Sequence, residues 1–319
     1  SGRLGLMALG RDIQLAGYGF GQAAAPTATT AGSPFGCTVA GYDALRSPTA
    51  FTFTLVPIQI TQGASGAPDT ITVLEGSSNL MVTLKQIDQT SNTTKRILTN
   101  TGGRTGAQKG DVVIAIATNP SLACTMYEIT DDSNADQLTL DHAAGSYTNA
   151  AGQSKTARYN SGLATPAFTM TGNGNLLNLG PTPYLNTWAV VNNKLVVSNL
   201  LTATGNVEAA DGIVNLQAQY GYDSNGDGMI SSSEWQTNTP ANWTRVLSVR
   251  VALLARGQYE QNQVTTTAPQ WSAGSFTMTN VDGTADSNPT GPNNWRNYRY
   301  NVFEAVVPLK NILWGVQAT

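Results

Sequence analysis

The chain is 319 residues long, and only 12% of them are charged, for a formal net charge of −3. That length suits two ordinary domains or one large β-rich domain, and a 40% hydrophobic content builds a core and excludes wholesale disorder. No cluster of Lys and Arg is present to neutralise a run of phosphates, so no nucleic acid partner is expected.

The first predicted element is a helix. Leu6, Leu9, Ile13 and Ala16 recur at three- and four-residue spacing and form one apolar stripe, while Arg3, Arg11, Asp12 and Gln14 mostly occupy the other faces. Gly17 supplies a stop, and "GYGFG" cannot continue the helix. The opening Ser1-Gly2 begins mid-pattern and reads as a remnant of cloning, with an apolar continuation of the helix expected upstream.

Residues 21 to 185 are rich in Gly, Thr, Ser, Asn and Ala, with short strand-like runs between turns. "FTFTLVPIQI" sets Phe51, Phe53 and Leu55 on one face, and "NLMVTLKQI" does the same with Leu80, Val82 and Leu84. "DVVIAIAT" suits a buried strand, and "DQLTLDH" and "AFTMTGN" are weaker candidates. Cys37 and Cys124 lie in this region, and in a chain of secreted character they are expected to form a disulfide. Closing so long a loop would contribute about 4 kcal/mol on the chain-entropy argument. His142, the single histidine, excludes multi-His metal sites and reads as an exposed loop residue.

The last third is better patterned. "WAVVNNKLVVSNL" reads as a hairpin, with Asn192 and Asn193 tolerating positive φ at a tight turn. "GIVNLQAQY" places Val214, Leu216, Ala218 and Tyr220 inward, and "TRVLSVRVALLAR" places Leu247, Val249, Val251 and Leu253 on one face. Near the end Tyr298, Tyr300 and Val302 alternate with Arg299 and Asn301. Strands plus one N-terminal helix imply an α+β class, the helix packed on an antiparallel sheet, with a large β-rich region inserted between them.

Between the second and third of these runs lies "YDSNGDGMISSSEW". Asp223, Asn225, Asp227, Gly228 and Glu234 occupy positions 1, 3, 5, 6 and 12 of a twelve-residue EF-hand-type loop. Calcium is a hard cation that takes six to eight oxygens. The three alternate side chains, the Met229 carbonyl, Ser231 and a bidentate Glu234 would supply them, and Gly228 allows the sharp turn. The competing reading is an Asn/Asp/Gly-rich turn with no metal. A calcium sensor is not expected. The preceding element is a strand, Pro240 soon ends any helix begun at Ser231–Glu234, and no second loop is present. The expectation is structural Ca2+ of moderate affinity, ~10⁻⁴ to 10⁻³ M for extracellular modules.

The order of "GRDIQLAGYGF", "DGIVNLQAQYGYDSNGDG", "RVLSVRVALLAR" and "YRYNVFEAVVPLKNILW" resembles the PilW family of type IV pilus minor pilins, and distantly the J-type minor pseudopilins of type II secretion. The resemblance covers residues 1–20 and 185–319. It implies a pilin-like fold divided as 1–20 (the end of the N-terminal helix), 21–185 (a variable β-rich region) and 186–319 (a core sheet carrying loop 223–234). It also implies a minor subunit that helps start pilus assembly in a tip or priming complex. Its expected partners are other minor pilins, the major pilin and, through a segment absent from this chain, the inner membrane. The implied location is the inner membrane and periplasm before assembly, then the extracellular pilus tip. The family's apolar N-terminal half and its glutamate are not in this sequence.

Two other functions compete. A tip adhesin would bind a surface or glycan through 21–185, with Trp188, Trp235, Trp243, Trp271 and Trp295 either as platforms or, more ordinarily, as core. A secreted hydrolase is disfavoured, because there is no Gly-x-Ser-x-Gly elbow, histidine set or phosphate loop. Arg296, Arg299 and Lys310 would mark a partner surface or simply a solvated face.

Overall fold

A computed structural model describes residues 1–20, 35–78, 84–90, 93–97, 106–117, 124–134, 138–160, 171–284 and 291–312. Leu80 and Val82 lie outside the described residues, as does the start of "AFTMTGN".

The expected helix is present as α1 (Gly2–Leu15). Its buried face differs from the expected stripe at the start. Gly2 and Gly5 are buried ahead of Leu9 and Ile13, and Leu6 is only half-buried. The cause is close approach. A Cβ on Gly2 would collide with the Phe303 ring, and one on Gly5 would lie 2.9 Å from the Ala210 Cβ. Leu4 and Met7 face away, 68% and 65% exposed. Gly17 ends the element at a φ of +73°, its N–H donating to the Leu74 carbonyl at 2.9 Å.

The first half of the chain holds β1 (Thr38–Tyr42), β2 (Ala50–Thr54), β3 (Ile58–Thr61), β4 (Thr70–Glu75), β5 (Lys85–Thr90) and β6 (Thr94–Ile97). There follow β7 (Val112–Ala117), β8 (Cys124–Glu128), β9 (Thr139–Asp141), β10 (Ser146–Thr148), β11 (Ser154–Thr156) and β12 (Thr171–Gly180). The remainder supplies β13 (Tyr184–Val191), β14 (Lys194–Asn199), β15 (Thr204–Asp211), β16 (Ile213–Tyr222) and β17 (Trp235–Gln236). The last four are β18 (Val246–Arg256), β19 (Gln270–Trp271), β20 (Gly274–Ser275) and β21 (Tyr300–Pro308). Asn192 and Asn193 take φ of +50° and +60° between β13 and β14, as the hairpin reading requires.

Three larger sheets result. One runs β2-β1-β8-β7-β12-β5-β6-β9 and is antiparallel except where β1 meets β8. At that parallel junction Cys37 and Cys124 form the expected disulfide, Cα atoms 6.0 Å apart. The second runs β15-β14-β13-β4-β3, so it joins strands from both sides of residue 185. The third runs β17-β16-β18-β21. Helix α1 lies on β21, β15 and β18. Leu9, Ile13 and Ala16 share one core with Ile71, Leu195, Tyr220, Val251 and Leu253.

Two expectations are corrected. Val214 does not face inward with Leu216, Ala218 and Tyr220. A bulge between Ile213 and Asn215 turns it to the opposite face, where it packs with Ala252, Leu254 and Phe276. That second cluster buries β18 on both faces. His142 is not exposed but 2% exposed. It follows β9, whose pairing with β6 carries it under the sheet. Its ring stacks on Tyr127 with centroids 4.0 Å apart, and its Nε2 is 2.7 Å from Lys95 Nζ. Burial lowers Lys95 to about 7. Burial, with Lys95 adding, lowers His142 to about 3.

Candidate functional site

Loop 223–234 leaves the end of β16 and returns as β17, which pairs back on β16 through Tyr220↔Gln236 and Gly221↔Trp235. It is therefore a strand-to-strand excursion, with only a 3-10 turn at Ser232–Glu234. No helix precedes it, as expected for a loop that does not reorient helices.

The loop is wired by its own carboxylates. Asp223, only 5% exposed, accepts at Oδ1 from Gly226 N at 2.6 Å and Asp227 N at 3.2 Å, and at Oδ2 from Gly228 N at 2.9 Å. Gly226 and Gly228 take φ of +80° and +78°, which brings these N–H groups round. Asn225 Oδ1 accepts from Asp227 N at 3.0 Å, and Asp227 Oδ1 accepts from Met229 N at 2.8 Å. Glu234 Oε1 accepts from Ser224 N at 2.9 Å and Ser224 Oγ at 2.8 Å, and Oε2 from Ser231 N at 2.9 Å. The Ser231 N–H first, then the Ser224 hydroxyl, hold Glu234 down to about 2. Met229 and Ser231 are exposed, so the Met229 side chain takes no part in a core.

As donors these residues fit calcium in type and order: three carboxylates, an amide oxygen, a hydroxyl and a main-chain carbonyl. Each carboxylate oxygen that accepts from an N–H retains a further lone pair. The acids are dispersed rather than convergent, however. Among the described residues no three Asp, Glu, His or Cys side chains group closely enough to hold a metal ion.

Two participants were not picked out from the sequence. Arg245 Nη1 donates to the Ser224 carbonyl at 2.8 Å, with its guanidinium beside Gly226. Its own carbonyl accepts from Asp223 N at 2.9 Å. Gly226 was legible in "SNGDG" as a second positive-φ position; Arg245 gave no local signal.

The other named residues scatter. Trp188, Trp243 and Trp295 are buried in the fold. Trp235 and Trp271 are half-buried and bracket Arg250, whose guanidinium carbon lies 4.8 Å and 5.4 Å from their ring centroids. Five tryptophans thus make no common platform. Arg299 and Lys310 are exposed, and Arg296 stacks on Trp295 at 4.3 Å.

With this geometry in place, one family model matches part of the chain. Residues 188–311 match the model of PilW, Type IV Pilus-assembly protein W. Over this span the chain is PilW-like. The span takes in β14 to β21, the second half of β13 and loop 223–234, which includes the face of the sheet that receives α1. The match relates this span to type IV pilus assembly. Among the described residues no helix is long and apolar enough to cross a membrane. No curated protein and no solved structure matches the chain.

Proposed function

We propose that this chain is a minor pilin that helps initiate type IV pilus assembly within a tip or priming complex. The observation that carries the reading is the PilW match over 188–311, on the part of the chain where α1 packs. The mechanism is non-covalent and the chain is not an enzyme. An N-terminal helix pinned to a sheet by Gly2 and Gly5 is a rigid unit. Its outward residues Leu4 and Met7 are available to neighbouring pilins in the pilin-like manner the resemblance implies. Other minor pilins and the major pilin are the partners. The setting is the inner membrane and periplasm, then the extracellular tip.

Calcium in this reading is structural. Asp223, Asn225, Asp227, Glu234, Ser231 and the Met229 carbonyl would hold it, and the ion would offset the repulsion of three carboxylates. The loop's own N–H groups hold the Asp223 carboxylate in place. Removing the chain from its host is expected to reduce surface piliation sharply. Unchanged piliation by electron microscopy would refute the reading. A second reading is a tip adhesin acting through 21–185, the region that lines most of a cleft between the β10–β11 hairpin and the β12–β13 turn.

A further inference from the structure

A cleft of about 570 Å³ opens where the β10–β11 hairpin faces the turn between β12 and β13. Its size falls in the range of small-molecule sites, roughly 300–1,000 Å³. One wall is the hairpin, with Tyr147, Asn149 and Gln153; the other carries Tyr184. Gln108 and Tyr159 also border it. We propose that this cleft binds a neutral saccharide. The inference rests on the adhesin reading and gives it a site and a ligand class.

The site is built rather than accidental. Asn149 Oδ1 accepts from Ala151 N at 3.1 Å and Gln153 N at 2.8 Å, shaping the hairpin tip. Ala150 N donates to the Lys109 carbonyl at 3.0 Å, tying that tip to the turn before β7. Gly110 in this turn has a φ of +98°, and a Cβ there would sit 3.2 Å from the Asn149 Cβ, so the hairpin tip approaches this turn closely at glycine. Two of the three tyrosines are anchored by their hydroxyls: Tyr147 donates to Glu128 Oε1 at 2.5 Å, and Tyr159 donates to the Leu201 carbonyl at 2.8 Å. Rings fixed in this way lose little freedom when a ligand lands on them. Tyr184 is 44% exposed at the mouth.

The charges that border the cleft are mostly spent on the protein. Glu128 takes the Tyr147 hydroxyl and, at Oε2, the Arg158 N–H at 2.7 Å. Arg158 forks onto Asp43 at 2.7 Å and 2.6 Å. Lys109 lies 3.9 Å from both Asp131 and Asp132. What faces the opening is therefore aromatic surface and neutral amides. The Gln153 carbonyl is taken by Asn149 at 3.2 Å, which leaves its NH₂ directed elsewhere. A sugar ring matches this combination. Its C–H face lies on the electron-rich face of a tyrosine, and its hydroxyls exchange hydrogen bonds with carboxamides in the ring plane. An anionic ligand would find its positive charges already paired, Lys155 excepted.

The test is saturation-transfer NMR on the soluble chain with neutral tri- to hexasaccharides of glucose, galactose, mannose and N-acetylglucosamine, followed by titration of those that bind. The expected result is transfer to at least one sugar, at least tenfold weaker binding for Tyr184→Ala and for Gln153→Ala, and unchanged melting temperatures. No transfer to any of these sugars, or full affinity in both variants, would overturn the proposal. Sugar binding that persists while cells adhere to surfaces normally without the chain would instead reject the adhesin reading and leave the site standing.

Discussion

Asp223 and Glu234 hold the shape of loop 223–234. Asp223 accepts from main-chain N–H groups in the middle of the loop, and Glu234 from Ser231 and, at the loop's other end, Ser224, so the loop keeps a shape of its own. Calcium bound only to the folded form adds stability by mass action, about 2.7 kcal/mol at a hundredfold excess over Kd. Chelator is therefore expected to lower the melting temperature measured in millimolar calcium, and Glu234→Gln to abolish that shift. A melting curve indifferent to chelator would remove calcium from the account. A second residue-scale prediction concerns Lys95, fully buried beside His142 and Tyr127. Its folded value of about 7 lies below the ordinary 10.5 because burial disfavours the ammonium. Between those values the unfolded chain holds a proton that the folded one has released, so stability rises with pH across the window and falls as pH drops toward 7. Lys95→Met is expected to flatten that slope in denaturant titrations at pH 7 to 10. The position of loop 223–234 between two strands was legible from spacing and period. The burial of His142 was not, because "LDHAAGSY" is locally polar and only the pairing of β9 with β6 drives its ring under the sheet.

Elements were legible where local pattern and tertiary environment agree. Leu9, Ile13 and Ala16 mark the buried side of α1, and Asn192-Asn193 mark the β13–β14 turn, because period and turn chemistry are local properties. The reading failed where a neighbour set the outcome. Val214 is turned by a bulge, and the second face of β18, with Ala252 and Leu254, is covered by Phe276, which lies 20 residues beyond the strand's end. The role of Gly2 and Gly5 was equally invisible, since small residues reveal close approach only once Phe303 and Ala210 are in place. Gly5→Leu tests this contact. Overpacking of this kind costs about 1–3 kcal/mol, so a matching loss in urea stability is expected. Leu4→Gln, on the exposed side, is expected to change stability by less than about 0.5 kcal/mol. Equal effects of the two would mean that α1 is not pinned as described.

At the scale of the molecule, the α+β class and the β-rich character of 21–185 followed from composition, and the strand order did not. The second sheet draws β3 and β4 from before residue 185 and β13 to β15 from after it, and the disulfide fastens β1 to β8 within the first sheet. Pairings so distant in sequence depend on packing that a one-dimensional pattern does not encode. The second sheet thus joins strands of the PilW-like span to strands that precede it, and Tyr184, at the mouth of the cleft, begins β13 of that sheet. The assembly role is the central claim. Its most direct test is a pull-down of the soluble chain against the minor pilins and major pilin of its host, in calcium, in chelator and as Asp223→Ala. Retention of at least one pilin by the calcium-loaded chain, weakened in chelator and in the variant, is the expected result. Failure of the folded chain to retain any pilin would contradict it.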